Sequence, residues 1–205
     1  MIPRVFHTIW VQGPLPDSYQ EWHRSWLEHH PGWEHRVWSE PDYLHLVEGS
    51  PVEAIYPTAV NHAQRTEIAA RLIVYEHGGV WVDADFQCLR NIEPLIDDCD
   101  IFCGEETPGG LSAGIWGATP KHPLIGGLVE VFDETIRAQR ARGQTQQYGT
   151  FWPQRWLWTG KVKTFPPSVF YPYRWDQPDP GTYGDAYAVH HWAATWKKGD
   201  DEQTH

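Results

Sequence analysis

Residues 78–85 read Gly78-Gly79-Val80-Trp81-Val82-Asp83-Ala84-Asp85, and this stretch decides the fold. Two glycines end the segment before them, three strand-forming apolar residues make a short buried strand, and two aspartates follow with one residue between. At a period of two, both carboxylates leave the C-terminal end of that strand on the same side. Carboxylates so placed can share one divalent cation. Hard ions such as Mg²⁺ and Mn²⁺ favour oxygen donors and keep positions open for a ligand's phosphates. An acidic surface turn is the competing reading of these three residues taken alone.

Upstream lies a helix. Asn61 can cap it, with Gln64 at the third position in place of the usual Glu, and Ile68, Leu72 and Tyr75 form its buried stripe as far as His77. A helix running into a buried strand is an α/β crossover unit, and open α/β sheets bind ligands beyond the carboxyl ends of their strands. Working outward, strands are predicted over 4–11, 33–38, 80–82, 100–104, 115–117 and 187–190, and helices over 18–29, 40–48 and 124–140. The expected fold is α/β, a single open, mostly parallel sheet flanked by helices. Residues 150–199, rich in Trp, Pro and Tyr, form a folded C-terminal cover within one domain of residues 1–205.

Composition limits the chemistry. At 205 residues the chain supports one substantial core, and nothing suggests two independent domains. With 27 acidic against 16 basic residues and a net charge of -11, a nucleic-acid binder relying on a basic surface is excluded. The cysteines Cys88, Cys99 and Cys103 are odd in number and lack paired zinc spacing, which argues against a disulfide framework or a structural zinc. A reducing, cytoplasmic setting is expected. No apolar run reaches membrane-spanning length and residues 1–4 lack a signal-peptide pattern, leaving peripheral membrane association as the membrane role still open. The 13 tryptophans supply core and, at strand ends, flat faces for sugars or nucleobases.

Four blocks in order carry a resemblance. They are Ile2-Pro3-Arg4-Val5-Phe6-His7-Thr8-Ile9-Trp10; Trp26 with His30-Pro31-Gly32-Trp33-Glu34 and Trp38; Thr66-Glu67-Ile68 through Gly78 to Asp85; and Val189-His190-His191-Trp192 with Thr195-Trp196. Together they resemble the DxD-containing sugar-binding glycosyltransferases, a family that includes yeast-type initiating mannosyltransferases, bacterial capsular and lipopolysaccharide sugar transferases and, distantly, the clostridial glucosylating toxins. The resemblance is dense over 2–89, thin in the middle, and returns at the end.

The resemblance implies a glycosyltransferase A-type fold and a retaining, Mn²⁺- or Mg²⁺-dependent transfer. The sugar moves from a nucleotide-sugar, UDP-sugar first and GDP-mannose second, to a hydroxyl of a saccharide or another hydroxyl acceptor. It assigns Asp85 as the more direct ligand of the diphosphate-bound metal, Asp83 to the ribose or to the metal through water, and His190 as third metal ligand with His191 as runner-up. Nucleotide-sugar contacts are implied for His7, Trp10, Glu67, Arg71, Gly79, Thr195 and Trp196. Trp10 is also read as core beneath the first loop.

Apart from the family, a departing nucleoside diphosphate develops negative charge that a cation held by Asp83 and Asp85 can neutralise. Glu105 and Glu106, after the strand at 100–104, are candidate catalytic carboxylates for a sugar hydroxyl or for charge at the anomeric carbon, with a solvent-facing turn the alternative for at least one. Two positions depart from the family pattern. Glu67 stands where an Asp is usual, and Ala70 stands at the arginine position with Arg71 one residue on, roughly 100° round the helix. Arg71 reaching around, Arg65 substituting, and an ordinary Glu67–Arg71 ion pair all remain open. A carbohydrate-binding module would use the tryptophans without the aspartate pair, and a metal-dependent phosphohydrolase would recruit Asp97, Asp98 and Asp100 as further carboxylates.

Overall fold

The computed structural model describes residues 1–141 and 162–193. In chain order its elements are β1 (Val5–Ile9), α1 (Asp17–His29), β2 (Glu34–Trp38), α2 (Glu40–Val47), α3 (His62–His77), β3 (Gly79–Val82), β4 (Phe86–Cys88) and α4 (Glu93–Ile96). Then follow β5 (Ile101–Thr107), β6 (Gly110–Ala118), α5 (Pro123–Ala141), β7 (Lys163–Phe165), α6 (Pro167–Phe170) and β8 (Ala188–His190). Six strands form one sheet in the order β2-β1-β3-β6-β5-β7. β1 runs parallel to β2 and β3, and β7 parallel to β5, while β6 is antiparallel to both its neighbours. The sheet is therefore mixed but mostly parallel, an α/β fold as expected.

β3 shows why the strand is apolar throughout. Trp81 packs into a core with Ile73, Trp116 and Phe132 on one face, while Val80 and Val82 enter a second core with Phe6, Trp26 and Phe102 on the other. Strands covered on both faces read as continuous hydrophobic runs. Its entrance needs both glycines: Gly78 and Gly79 have φ of 66° and 95°. A Cβ on Gly79 would stand 2.7 Å from Val5 and 2.9 Å from the His7 ring, so the pair makes the turn and lets β3 close on β1.

At the other end of α3 the Asn61 side chain accepts the Gln64 N–H at 2.9 Å, and the Gln64 side chain accepts the Val60 N–H at 3.0 Å. The cap read from the sequence is thus present, with Gln64 reaching one residue beyond the cap.

Two features differ from expectation. β6 spans nine residues, not three, because pairing of Gly110 and Leu111 with β5 and the bond from the Asp83 N–H to the Gly114 carbonyl carry the strand through the glycine-rich run at 110–114 and override its poor strand propensity. The last strand does not join the main sheet; β8 pairs antiparallel with β4, an element the sequence did not suggest. Only part of the cover at 150–199 falls among the described residues, where β7 extends the sheet edge. The three cysteines are free, and among the described residues no helix is long and apolar enough to cross a membrane.

Candidate active site

Asp83 leaves the end of β3 with its N–H donated to the Gly114 carbonyl at 2.8 Å, so β6 fixes where the carboxylate starts. Its Oδ1 accepts the Trp81 indole N–H at 3.0 Å, two residues back on the same side of the strand. Asp85 sits in the turn that opens β4. The end of β8 is stitched onto it: Asp85 O accepts the His191 N–H at 2.9 Å, Oδ2 the Ala193 N–H at 2.8 Å, and Oδ1 the His190 Nε2–H at 2.9 Å. The β4–β8 register places His190 opposite Phe86, whose ring it stacks at 4.6 Å. His190 Nε2 also lies 3.9 Å from Asp83 Oδ2. One ligand atom from each of Asp83, Asp85 and His190 falls within a 4.8 Å group.

The electrostatics separate the two acids. Burial pushes the Asp83 carboxyl up to about 7, with the neighbouring Asp85 and Glu67 charges adding to it against the pull of His190. Its side chain keeps 38% of its exposure through the cleft mouth, so solvent moderates that shift. Burial works the same way on Asp85, but the His190 charge and the hydrogen bonds from His190 and Ala193 outweigh it and hold Asp85 low. For His190 burial is likewise outweighed, by Asp85 first and then Asp83 and Glu106, and its imidazole is raised. Two oxygen donors and one imidazole in this spacing fit a Mn²⁺- or Mg²⁺-class ion, provided His190 exchanges its bond to Asp85 for a bond to the ion.

Above these residues opens a cleft of about 550 Å³. Its lining includes Trp10, beyond β1, Thr66 and Glu67 of α3, Glu106 of β5, Ser112 of β6, and Trp175. Trp10 leans on Tyr19 at 4.9 Å, and its buried indole N–H has no partner among the described residues. Glu106 is half-buried; burial raises its carboxyl against His190 and Arg174.

Several expected residues stand elsewhere. His7 is fully buried outside the cleft lining, its Nε2–H donated to Gly78 O at 3.0 Å and its Nδ1 accepting the Trp38 indole N–H at 3.0 Å. Gly79 is buried within β3 and also outside the lining, its part being to admit β1. Arg71, 1% exposed, lies behind Glu67: its Nη1 donates to Glu67 Oε2 and to Glu67 O, each at 2.5 Å, and its guanidinium rests over Phe132. Arg65 points to Glu40 at 3.6 Å and not into the site. Glu105 accepts the Gly109 N–H at 2.9 Å in the β5–β6 turn, outside the lining.

His191 faces the opposite way from His190, stacked on Trp22 at 4.3 Å and bonded to Gln87 at 3.0 Å. Asp98 pairs with Lys163 and Asp100 with His122, so neither adds a carboxylate to the cleft. Thr195 and Trp196 lie outside the described residues.

Sequence reasoning missed the support behind Asp83. Tyr171 donates its O–H to Ser112 Oγ at 2.7 Å, and Gly114 leaves room for both the phenol and the Asp83 carboxylate. Glycines at 109–114 were the available signal; Tyr171 had none.

A family model described as "Glycosyltransferase sugar-binding region containing DXD motif" matches residues 16–101. Inositol phosphoceramide mannosyltransferase 1 of Schizosaccharomyces pombe is 29% identical over 132 residues, 60% of this chain and 40% of that protein. Mannosyl phosphorylinositol ceramide synthase SUR1 of Saccharomyces cerevisiae is 27% identical over 129 residues, 61% of this chain and 33% of that protein. The chain thus spans well under half the length of these curated relatives. In fold it is similar to mouse xyloside xylosyltransferase 1, with a TM-score of 0.56, 9% identity, and coverage of 96% of this chain and 99% of that one.

Proposed function

From the match of residues 16–101 to the DXD-motif sugar-binding region of glycosyltransferases, we propose that this chain moves a hexose from a nucleotide-sugar to an acceptor hydroxyl of a saccharide, with retention and with a divalent cation. The observation that carries the reading is the meeting of Asp83, Asp85 and His190 on the floor of the cleft. These three would hold Mn²⁺ or Mg²⁺, which when bound supplies positive charge against the departing diphosphate.

The chain's own residues do the rest. The Ala193 N–H aims Asp85, joined by His190 until that imidazole turns to the ion. Trp10 offers its face to the nucleobase, and Glu67, braced by Arg71, accepts hydroxyls of the ribose or the sugar. Glu106 faces the reacting side, where a carboxylate can orient the acceptor hydroxyl or steady positive charge at the anomeric carbon. UDP-sugars remain the first donor choice, and the mannosyl transfer named in the fungal relatives supports testing GDP-mannose beside them. A reducing cytoplasmic setting agrees with three free cysteines.

The test is a panel of UDP- and GDP-sugars incubated with Mn²⁺, with chelator, and with simple saccharides, the products being assigned by NMR. Metal-dependent formation of a glycoside whose anomeric configuration matches the donor is expected. Release of free sugar or phosphate alone, in the presence of abundant acceptor, would point to a hydrolase.

A further inference from the structure

Trp175 is unlike the other described tryptophans. It is 65% exposed, whereas Trp26, Trp33, Trp38, Trp81 and Trp116 are buried, yet it lines the same cleft as the aspartate pair. A single exposed apolar residue needs no explanation by itself. Here a built turn holds it out. The Gln177 N–H closes the turn onto Arg174 O at 3.0 Å, the Gln177 side chain accepts the Arg174 N–H at 3.2 Å, and the Arg174 guanidinium grips Asp176 through two bonds of 2.9 and 3.1 Å. The root of the turn is tied to the cleft wall, since the Trp192 indole N–H donates to Tyr173 O at 3.2 Å. The indole is therefore presented by a braced loop.

Its place in the cleft says what it meets. Trp175 lines the cleft together with Glu106, a half-buried carboxylate that feels the charge of Arg174, the residue before Trp175. A flat indole against the apolar C–H face of a pyranose, with a carboxylate for its hydroxyls, is the usual chemistry of sugar recognition. We propose that Trp175 is the platform of the acceptor subsite and that its occupant is a sugar ring of a saccharide acceptor, stacked on the indole and hydrogen-bonded to Glu106. This rests on the transferase reading above and names the residue that receives its saccharide acceptor.

Steady-state kinetics test it, with methyl α- and β-glycosides of mannose, glucose and galactose and the matching disaccharides as acceptors. Trp175→Ala should raise the acceptor KM about tenfold while the donor KM moves less than twofold, and Trp175→Phe, which keeps a ring, should recover most of the loss. An unchanged acceptor KM in Trp175→Ala, or a donor KM rising in step, would overturn the assignment. So would metal-dependent donor hydrolysis by the wild type with no glycoside serving as acceptor. Absence of turnover with every nucleotide-sugar would instead sink the transferase reading, and the subsite with it.

Discussion

Gly114→Ala probes the site through a single methyl group. In the extended backbone of β6 the added Cβ would stand 2.8 Å from Tyr171 Oη, 3.0 Å from Phe86 Cε2 and 3.1 Å from Asp83 Oδ2. The backbone cannot retreat freely, because Gly114 O accepts the Asp83 N–H. Tyr171 is held by Ser112 and Phe86 is buried in β4, which leaves the Asp83 carboxylate, open to the cleft, as the group that yields. Overpacking of this kind costs about 1–3 kcal/mol. If half of that, about 0.5–1.5 kcal/mol, falls on Asp83, affinity for Mn²⁺ with a nucleoside diphosphate drops roughly two- to tenfold. Urea unfolding gives the first quantity and titration calorimetry the second. Gly127→Ala is the control: nothing lies within 4 Å of its Cβ, and Gly to Ala within a helix stabilises by about 0.5–1 kcal/mol. A Tyr171→Phe background removes the closest contact, so the double variant should be more stable than the sum of the single changes implies. Wild-type stability and metal affinity in Gly114→Ala would refute the reasoning.

Acid should weaken the fold through His7. Burial holds its imidazole down at about 4 against 6.5 unfolded, so its contribution is complete above about pH 6.5 and is lost as pH falls toward 4. A gap of about 2.5 pH units at 1.36 kcal/mol each caps that loss near 3 kcal/mol, which urea unfolding at pH 7, 6 and 5 should register; a flat profile speaks against it. Glu106→Gln should lower turnover at least tenfold in the transfer assay, about 1.4 kcal/mol, while Glu105→Gln keeps near-wild-type turnover, its amide oxygen still able to accept the Gly109 N–H. Glu67→Gln leaves the Arg71 charge buried and should cost about 3 kcal/mol in thermal unfolding, much of it regained on adding Arg71→Met. Little loss in the single variant would mean that Arg71 is held by other groups.

What was legible in the sequence was local. The apolar run of β3, the glycine pair before it and the Asn61 cap are each set by neighbours within a few residues, and the structure shows all three. The strand at 187–190 was legible, but its pairing with β4 was hidden, because a three-residue strand such as β4 carries no periodic signal and exists here through pairing between Phe86 and His190, far apart in sequence. The glycines of β6 misled for the same reason: pairing with β5, not propensity, makes the start of that strand extended. At the site, period two correctly put His190 and His191 on opposite sides. The roles expected of His7 and Gly79 came from a motif, and the structure uses both residues to close β1 on β3. Arg71 follows the helical angle: one residue past the family position it turns inward and reaches the cleft only through Glu67.

The central claim is that Asp83 and Asp85 bind a nucleoside diphosphate through a shared divalent cation. Titration calorimetry of UDP and GDP into the wild type and Asp85→Asn, with Mn²⁺ and with chelator, tests it most directly. Asn keeps the volume and can still accept the Ala193 N–H, so the fold should survive while one ligand charge is lost. At least one nucleotide should bind the wild type only with Mn²⁺, and the same titration should be weakened at least about a hundredfold in Asp85→Asn, near 2.7 kcal/mol. Nucleotide binding of equal strength with chelator and with Mn²⁺, unaltered in Asp85→Asn, would contradict the account.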